Sequence, residues 1–271
     1  MALKLGSSTV GSLYLGSDKV SELYLGSHKV YSAGAPALLT RTLRIEFYTL
    51  YNDIPPTEWK LRGSYSSDDV WIRHISGNVY DFHFNLEQWV YGTASLFDVW
   101  QVRNLSTGNW AYPMGSSEFE ILDGDLTGVT TVHLLFGGAK MIHKYQLRNT
   151  GSLTDVSQMF YHRDGMAYLE EISLFDTSSV TNFKEMFGGA VRGTNELSIP
   201  LFDTSSATDV TSMFQTCRKI TGGHLALYQQ MSTQTTPPTN YSNCFKNCGA
   251  NTVTGAAELA QIPTSWGGTM A

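Results

Sequence analysis

The chain has 271 residues, a formal net charge of −6, only 15 % charged residues and 25 glycines. An acidic, charge-poor balance gives nucleic acid and anionic membranes no electrostatic hold, and no apolar run is long enough to cross a bilayer as a helix. The length admits one to three domains, and a composition rich in Gly, Ser and Thr suits a turn-rich β or repeat protein better than a helical one.

Residues 3–30 repeat with a period of ten, as LKLGSSTV, GSLYLGSDKV and SELYLGSHKV. Gly6, Gly16 and Gly26 fall in register, as do Val10, Val20 and Val30. The alternations Leu13-Tyr14-Leu15 and Leu23-Tyr24-Leu25 predict strands, and each following Gly-Ser predicts a tight turn into a second strand through Lys-Val. So small a ribbon buries little by itself. Residues 1–34 are therefore expected to complete their core on sister subunits or on a host particle. Tyr14, Tyr24 and Tyr31 are the candidates for a docked aromatic face; the alternative is that they pack within the ribbon. LYLGSxKV repeats resemble the N-terminal segments of phage virion proteins, and the resemblance implies attachment of this end to the particle. The start, Met1-Ala2-Leu3-Lys4-Leu5-Gly6, lacks an apolar leader, which fits assembly inside a cell.

Ser32-Ala33-Gly34-Ala35-Pro36-Ala37 has linker composition. Beyond it, residues 38–115 hold Trp59, Trp71, Trp89, Trp100 and Trp110, five of the six tryptophans. Strand signals run through Leu43 to Tyr48, Val70 to Arg73, Val79 to Leu86 and Leu96 to Val102, separated by turn residues such as Pro55-Pro56 and Ser76-Gly77-Asn78. They predict a small antiparallel β-sandwich or barrel. In Asp81-Phe82-His83-Phe84-Asn85-Leu86 the apolar residues are expected inward and the polar ones outward. The tryptophans either form the core of this domain or present a glycan face, since a sugar ring stacks on an aromatic plane while its hydroxyls meet polar groups.

From residue 116 a longer repeat takes over. Leu174-Phe175-Asp176-Thr177-Ser178-Ser179 returns unchanged as Leu201-Phe202-Asp203-Thr204-Ser205-Ser206. After each Ser pair come apolar residues at offsets of three, six and seven: Val180, Phe183, Met186, Phe187 and Ala207, Val210, Met213, Phe214. Earlier copies are Val129, Val132, Leu135, Phe136 and Leu153, Val156, Met159, Phe160, and a degraded copy follows at Pro238, Tyr241, Cys244, Phe245. The final phenylalanines are spaced by 24, 27, 27 and 31 residues, a leucine-rich-repeat period. That spacing predicts a helix of about two turns per unit, with one face buried against its neighbours. Phe119-Ile121, Ile172-Leu174, Leu197-Ile199, Leu225-Leu227 and Leu259-Ile262 are the expected strands. Asp176 or Thr177, and Asp203 or Thr204, are expected to cap the helices. Val129, Phe136, Val156, Met159, Phe160, Val180, Met186, Phe187, Val210, Met213, Phe214 and Phe245 are the expected repeat core.

The pattern LFDTSSxTxxxxMF, with Met213-Phe214-Gln215-Thr216-Cys217, closely resembles the BspA-like leucine-rich repeat. The tail NCFKNCGANTVTGAAELAQIP resembles the closing segment of such repeats in gut bacteriophage proteins. The resemblance implies a mainly β protein with short helices, in which residues 116–271 form a capped repeat solenoid.

Chemistry-bearing signals are few. Cys217 and Cys248 each follow a repeat Phe by three residues, and with Cys244 they are expected as buried free thiols. Asp123-Gly124-Asp125 lacks the remaining ligands of a calcium loop, and His133 and His143 are expected to be ordinary surface or packing residues. No cofactor or metal is expected. A carboxylate pair for glycan cleavage would have to come from Asp53, Glu58, Asp68, Asp69, Asp81, Glu87 and Asp98.

The favoured reading is a non-enzymatic structural protein of a tailed bacteriophage, a head fibre, capsid decoration or tail-fibre-like subunit. It would be assembled in the host cytoplasm, contact other virion proteins, form a homo-oligomer with a trimer favoured, and present its repeats to host or mucin glycans. The alternatives are a bacterial cell-surface adhesin with the same repeats and a glycan-degrading tail-spike-like enzyme.

Overall fold

A computed structural model describes residues 14–15, 18–19, 22–25, 28–32, 40–49, 59–61, 70–85, 100–103, 107–111, 118–137, 141–161, 175–191 and 196–270. The fold is mainly β. Strands β1 (Tyr14–Leu15) and β2 (Asp18–Lys19) form one antiparallel hairpin, and β3 (Glu22–Leu25) and β4 (His28–Ser32) form another. Leu15 pairs with Asp18 and Leu25 with His28, the strand pairing that the ten-residue period predicts. The side chains of Tyr14, Tyr24 and Tyr31 lie outside the described residues.

The next strands are β5 (Thr40–Thr49), β6 (Trp59–Leu61), β7 (Val70–Ser76), β8 (Val79–Asn85), β9 (Trp100–Arg103), β10 (Trp110–Ala111), β11 (Glu118–Asp125) and β12 (Met141–Arg148). β6, β9 and β10 make a three-stranded sheet, and the other five strands join in the order β12-β11-β5-β8-β7. The larger sheet is open, ending on β7 and β12, so the expected sandwich or barrel is not closed. The physical reason lies in β5. One edge of β5 pairs with β8, and its other edge is taken by β11, which begins the repeats, with Phe47 opposite Phe119 and Ile45 opposite Ile121. The sheet therefore runs across residue 115, where the onset of the long repeat draws a boundary. Leu43, Ile45, Phe47, Tyr80, Phe82, Phe119 and Ile121 are buried on its inner face. The Phe47 ring meets those of Tyr80, Phe82 and Phe119 at centroid distances of 5.8, 6.1 and 5.9 Å.

The outer face carries alternating charge across all five strands. Register places Arg73 beside Asp81, Asp81 beside Arg44 and Arg44 beside Asp123, and Arg148 completes the row through its bond to Asp123. Asp81, expected in solvent, is instead 5 % exposed. Arg44 holds it with two donors at 2.7 and 2.9 Å, which offsets the cost of burying a carboxylate.

In the repeats, β13 (Leu197–Ser198) pairs in parallel with β14 (Ile220–Gly222). Two α-helices are described, α1 (His224–Thr233) and α2 (Val253–Leu259), followed by a 3-10 turn at Thr264–Trp266. Leu225 to Leu227 therefore lies in a helix and not a strand, and Leu259 to Ile262 begins at a helix end. Gly223 introduces α1 with φ of 90°, and a Cβ there would fall 2.1 Å from the Ile199 carbonyl oxygen, so only glycine fits. Ile172 to Leu174 falls outside the described residues.

Candidate recognition face

The repeat spacing marks a buried face, as expected, but not a helix. In each unit the residue five places after the first apolar position takes a left-handed conformation: Leu134, Gln158, Glu185, Ser212 and Asn243, with φ between 54° and 58°. A right-handed helix cannot pass through such a residue. The units instead turn through successive i to i+3 hydrogen bonds, such as Val180 N–H to Thr177 O, Met186 N–H to Phe183 O and Gly188 N–H to Glu185 O. Backbone groups that a helix would satisfy internally are spent on the neighbouring unit. Phe136, Phe160, Phe187 and Phe214 each donate their N–H to the residue before the next unit's last apolar residue, at 2.8 to 2.9 Å.

Successive units are in parallel register, bridging Thr131 to Asp155, Asp155 to Asn182, Asn182 to Asp209 and Asp209 to Asn240. The last phenylalanines consequently stack. Phe136 and Phe160 lie 5.6 Å apart, Phe160 and Phe187 5.5 Å, Phe187 and Phe214 4.9 Å, and Phe214 and Phe245 6.1 Å, the last pair within 4° of parallel. All twelve residues of the expected repeat core, Val129, Phe136, Val156, Met159, Phe160, Val180, Met186, Phe187, Val210, Met213, Phe214 and Phe245, are buried in this ladder.

The outer surface repeats with the same register. Thr130, Thr154, Thr181, Thr208 and Thr239 form an exposed column. The carbonyl of each of the first four accepts two N–H groups from the following unit, and the next Thr hydroxyl donates to it at 3.1 to 3.2 Å. Beside this column, Asp155, Asn182 and Asp209 each accept the N–H two residues on, fixing the turn that follows. Asp176 and Asp203 do the same for Ser178 and Ser205. They cap turns and not helices, and hydrogen bonds from Ser178 hold the Asp176 carboxyl below the usual carboxylate range. Thr177 is buried and donates to the Asp203 carbonyl of the next unit at 2.7 Å.

Both ends of the ladder are closed by segments outside the repeat pattern. β5 occupies the free edge of β11 at one end. At the other, Trp266 and Thr269 supply the carbonyls that accept from Phe245 and Asn247, and the Trp266 ring stacks on Tyr241 at 4.5 Å. Sequence reasoning missed Trp266 in this role. Its isolation from the other tryptophans was the available signal.

Remaining candidates resolve into structural roles. Cys217, Cys244 and Cys248 are buried free thiols, burial pushes the Cys244 and Cys248 thiols well up, and Cys217 donates to the Phe187 carbonyl at 2.9 Å. Asp123 and Asp125 both bind Arg148, at 2.9 and 3.0 Å, so an internal cation fills the place considered for calcium. His133 contacts the Ser157 hydroxyl at 2.8 Å, and His143 lies 3.3 Å from Glu118. Among the described residues no group of three or more His, Cys, Asp or Glu is arranged to hold a metal, and no helix is long and apolar enough to cross a membrane. Of the carboxylates considered for glycan cleavage, Asp81 is committed to Arg44 and the other six lie outside the described residues.

Among the described residues, a concavity interrupts the repeat surface. A groove of about 420 Å³ opens between the two LFDTSS units, lined by Phe175, Asp176, Leu201, Phe202, Asp203 and the α1 residue Gln230. Gln230 was not singled out by sequence, since nothing in the α1 sequence marks which side chain reaches the repeats. Its amide nitrogen donates to Phe202 O at 2.8 Å and to the Thr204 hydroxyl at 3.0 Å.

Residues 125–254 match one family model. Its description is Mycoplasma protein of unknown function, DUF285, and the matched span contains the phenylalanine of each of the five repeat units. The chain is thus similar to that family over its repeats. No curated protein and no solved structure matches the chain.

Proposed function

We propose that this chain is a structural protein of a tailed bacteriophage, a head fibre, decoration or tail-fibre-like subunit anchored through its N-terminal hairpins. In this reading residues 116–271 are a BspA-like leucine-rich repeat solenoid that presents an adhesive face to host or mucosal surface. The carrying observation is the parallel stacking of five units on one phenylalanine ladder, which repeats each exposed position as a column. Such a face suits weak contacts multiplied along the array and over many copies per particle. The resemblance of the LYLGSxKV repeats to virion segments supports the particle end, and the family match over residues 125–254 supports the repeat reading. A homo-oligomer, with a trimer favoured, would supply the core that two small hairpins lack.

Adhesion is tested by coating beads with the full chain at graded density and counting retention on mucin and on host cells. Retention that rises more steeply than density supports the reading; equal retention of coated and bare beads overturns it. A second reading, a bacterial cell-surface adhesin, is favoured by the family match to Mycoplasma proteins. It places the chain on the cell envelope and not on virus particles.

A further inference from the structure

The groove between the two LFDTSS units offers acceptors and apolar surface. Phe175 and Phe202 form its nearly buried floor, at 5 % and 7 % exposure. Leu201 stands beside it 55 % exposed, a large apolar side chain that the core does not use. Asp176 and Asp203 flank it, and each commits Oδ1 to the serine two residues on; Asp176 Oδ2 lies against Gly151 of the preceding unit, whereas Asp203 Oδ2 makes no hydrogen bond among the described residues. No described Lys, Arg or His forms an ion pair with either carboxylate. Gln230 commits its amide nitrogen to Phe202 and Thr204, which leaves its carbonyl oxygen as a second acceptor.

Two separate acceptors and a flanking carboxylate beside an apolar wall define a ligand with an apolar stem and a compact, positively charged head of several N–H donors. A lysine side chain has that form, with four methylenes ending in three donors on a point charge. The planar guanidinium of arginine is matched to a bidentate carboxylate, and here one oxygen of each carboxylate is already taken. We propose that this groove seats a lysine side chain of a partner protein, its stem on Leu201 and the phenylalanine floor, its ammonium between Asp203 and Gln230 with the Asp176 carboxylate adding negative charge at the rim. The inference rests on reading the repeats as a recognition surface, and it names the partner chemistry of that surface.

The test titrates the full chain with acetyl-Gly-Lys-Gly-amide while following Leu201 and Asp203 by NMR. The same titration uses the norleucine and arginine peptides and spermidine. Saturable shifts are expected with the lysine peptide, and binding of the norleucine peptide should be about five-fold weaker, as loss of one well-placed ion pair implies. Asp203→Asn keeps an acceptor for the Ser205 N–H while removing the charge, so it should lower lysine affinity about five-fold in a chain that remains folded. Leu201→Ser should weaken the lysine and norleucine peptides alike. Absence of saturable shifts, equal binding by norleucine or arginine, tighter binding of spermidine than of the peptide, or indifference to Asp203→Asn would each overturn the proposal. Adhesion that persists while the lysine peptide fails to bind would remove this groove and leave the adhesive reading standing. Lysine binding without adhesion would do the reverse.

Discussion

Phe187 and Phe214 lie ring on ring, with centroids 4.9 Å apart and planes within 14° of parallel, although 27 residues separate them in the chain. Each is fully buried, and the Phe187 N–H reaches the Met213 carbonyl at 2.9 Å, so ring stacking and backbone pairing fix the same register. Replacing Phe187 by Ala should therefore cost about 3–5 kcal/mol, the range for deleting a buried aromatic side chain. Urea unfolding would show this as a lower midpoint. A loss below about 1 kcal/mol would mean that the ladder is not the core.

The left-handed residue in each unit gives a second prediction. Glu185 has φ of 54°, a region that β-branched side chains tolerate badly and Asn tolerates well. Glu185→Asn and Glu185→Ile both remove the 2.6 Å bond from Gln158, so their difference isolates the backbone. Glu185→Ile should be less stable than Glu185→Asn by about 1–2 kcal/mol. Equal stability would contradict the turn geometry.

These two pairs of residues show what the sequence makes legible. Offsets of three, six and seven identify the residues that face the core, because burial selects apolar side chains whatever the backbone does. They do not separate a helix from two consecutive tight turns, since both bring residues three apart to one side. The left-handed position carries Leu, Gln, Glu, Ser and Asn in the five units, so no glycine signal marks it. The pairing of β5 with β11 is nonlocal, with Ile45 meeting Ile121 across 76 residues, and alternation in either strand cannot name its partner. Gln230 entered the groove unannounced for a similar reason: helix packing, and not its own sequence, brings it to Phe202 and Thr204.

The ion pair on the outer sheet face should respond asymmetrically. Arg44 is half exposed, whereas Asp81 is nearly buried and its carboxyl is held below the ordinary range chiefly by the bond from Arg44. Arg44→Met strands a buried carboxylate and should cost about 1–3 kcal/mol, while Asp81→Asn leaves a cation that reaches water and should cost less. Chemical denaturation of the two variants measures the order; the reverse order would contradict the burial of Asp81.

Acid should weaken the fold well before the carboxylates titrate. Burial holds His83 at about 4, against about 6.5 in an unfolded chain, with Thr42 at 2.7 Å from Nδ1 and with Asp81, Arg73 and Arg44 around it. Above pH 6.5 neither state carries the proton. Between about 6.5 and about 4 the unfolded chain takes up a proton that the folded chain refuses, so stability falls as pH falls. His224, lowered by burial even though the nearby Glu258 carboxylate pulls the other way, acts in the same direction. The unfolding free energy measured from pH 7 to pH 4 should decline, and His83→Gln should flatten that decline in part. An unchanged slope in the variant would show that His83 is not the group responsible.

Particle association tests the central claim most directly. Virus particles purified from a producing culture through a density gradient should carry this chain at a fixed ratio to the major capsid protein, and antibodies to it should label intact particles. If the chain is absent from purified particles and is found instead on the producing cells' envelope, the virion account is contradicted and the cell-surface adhesin takes its place.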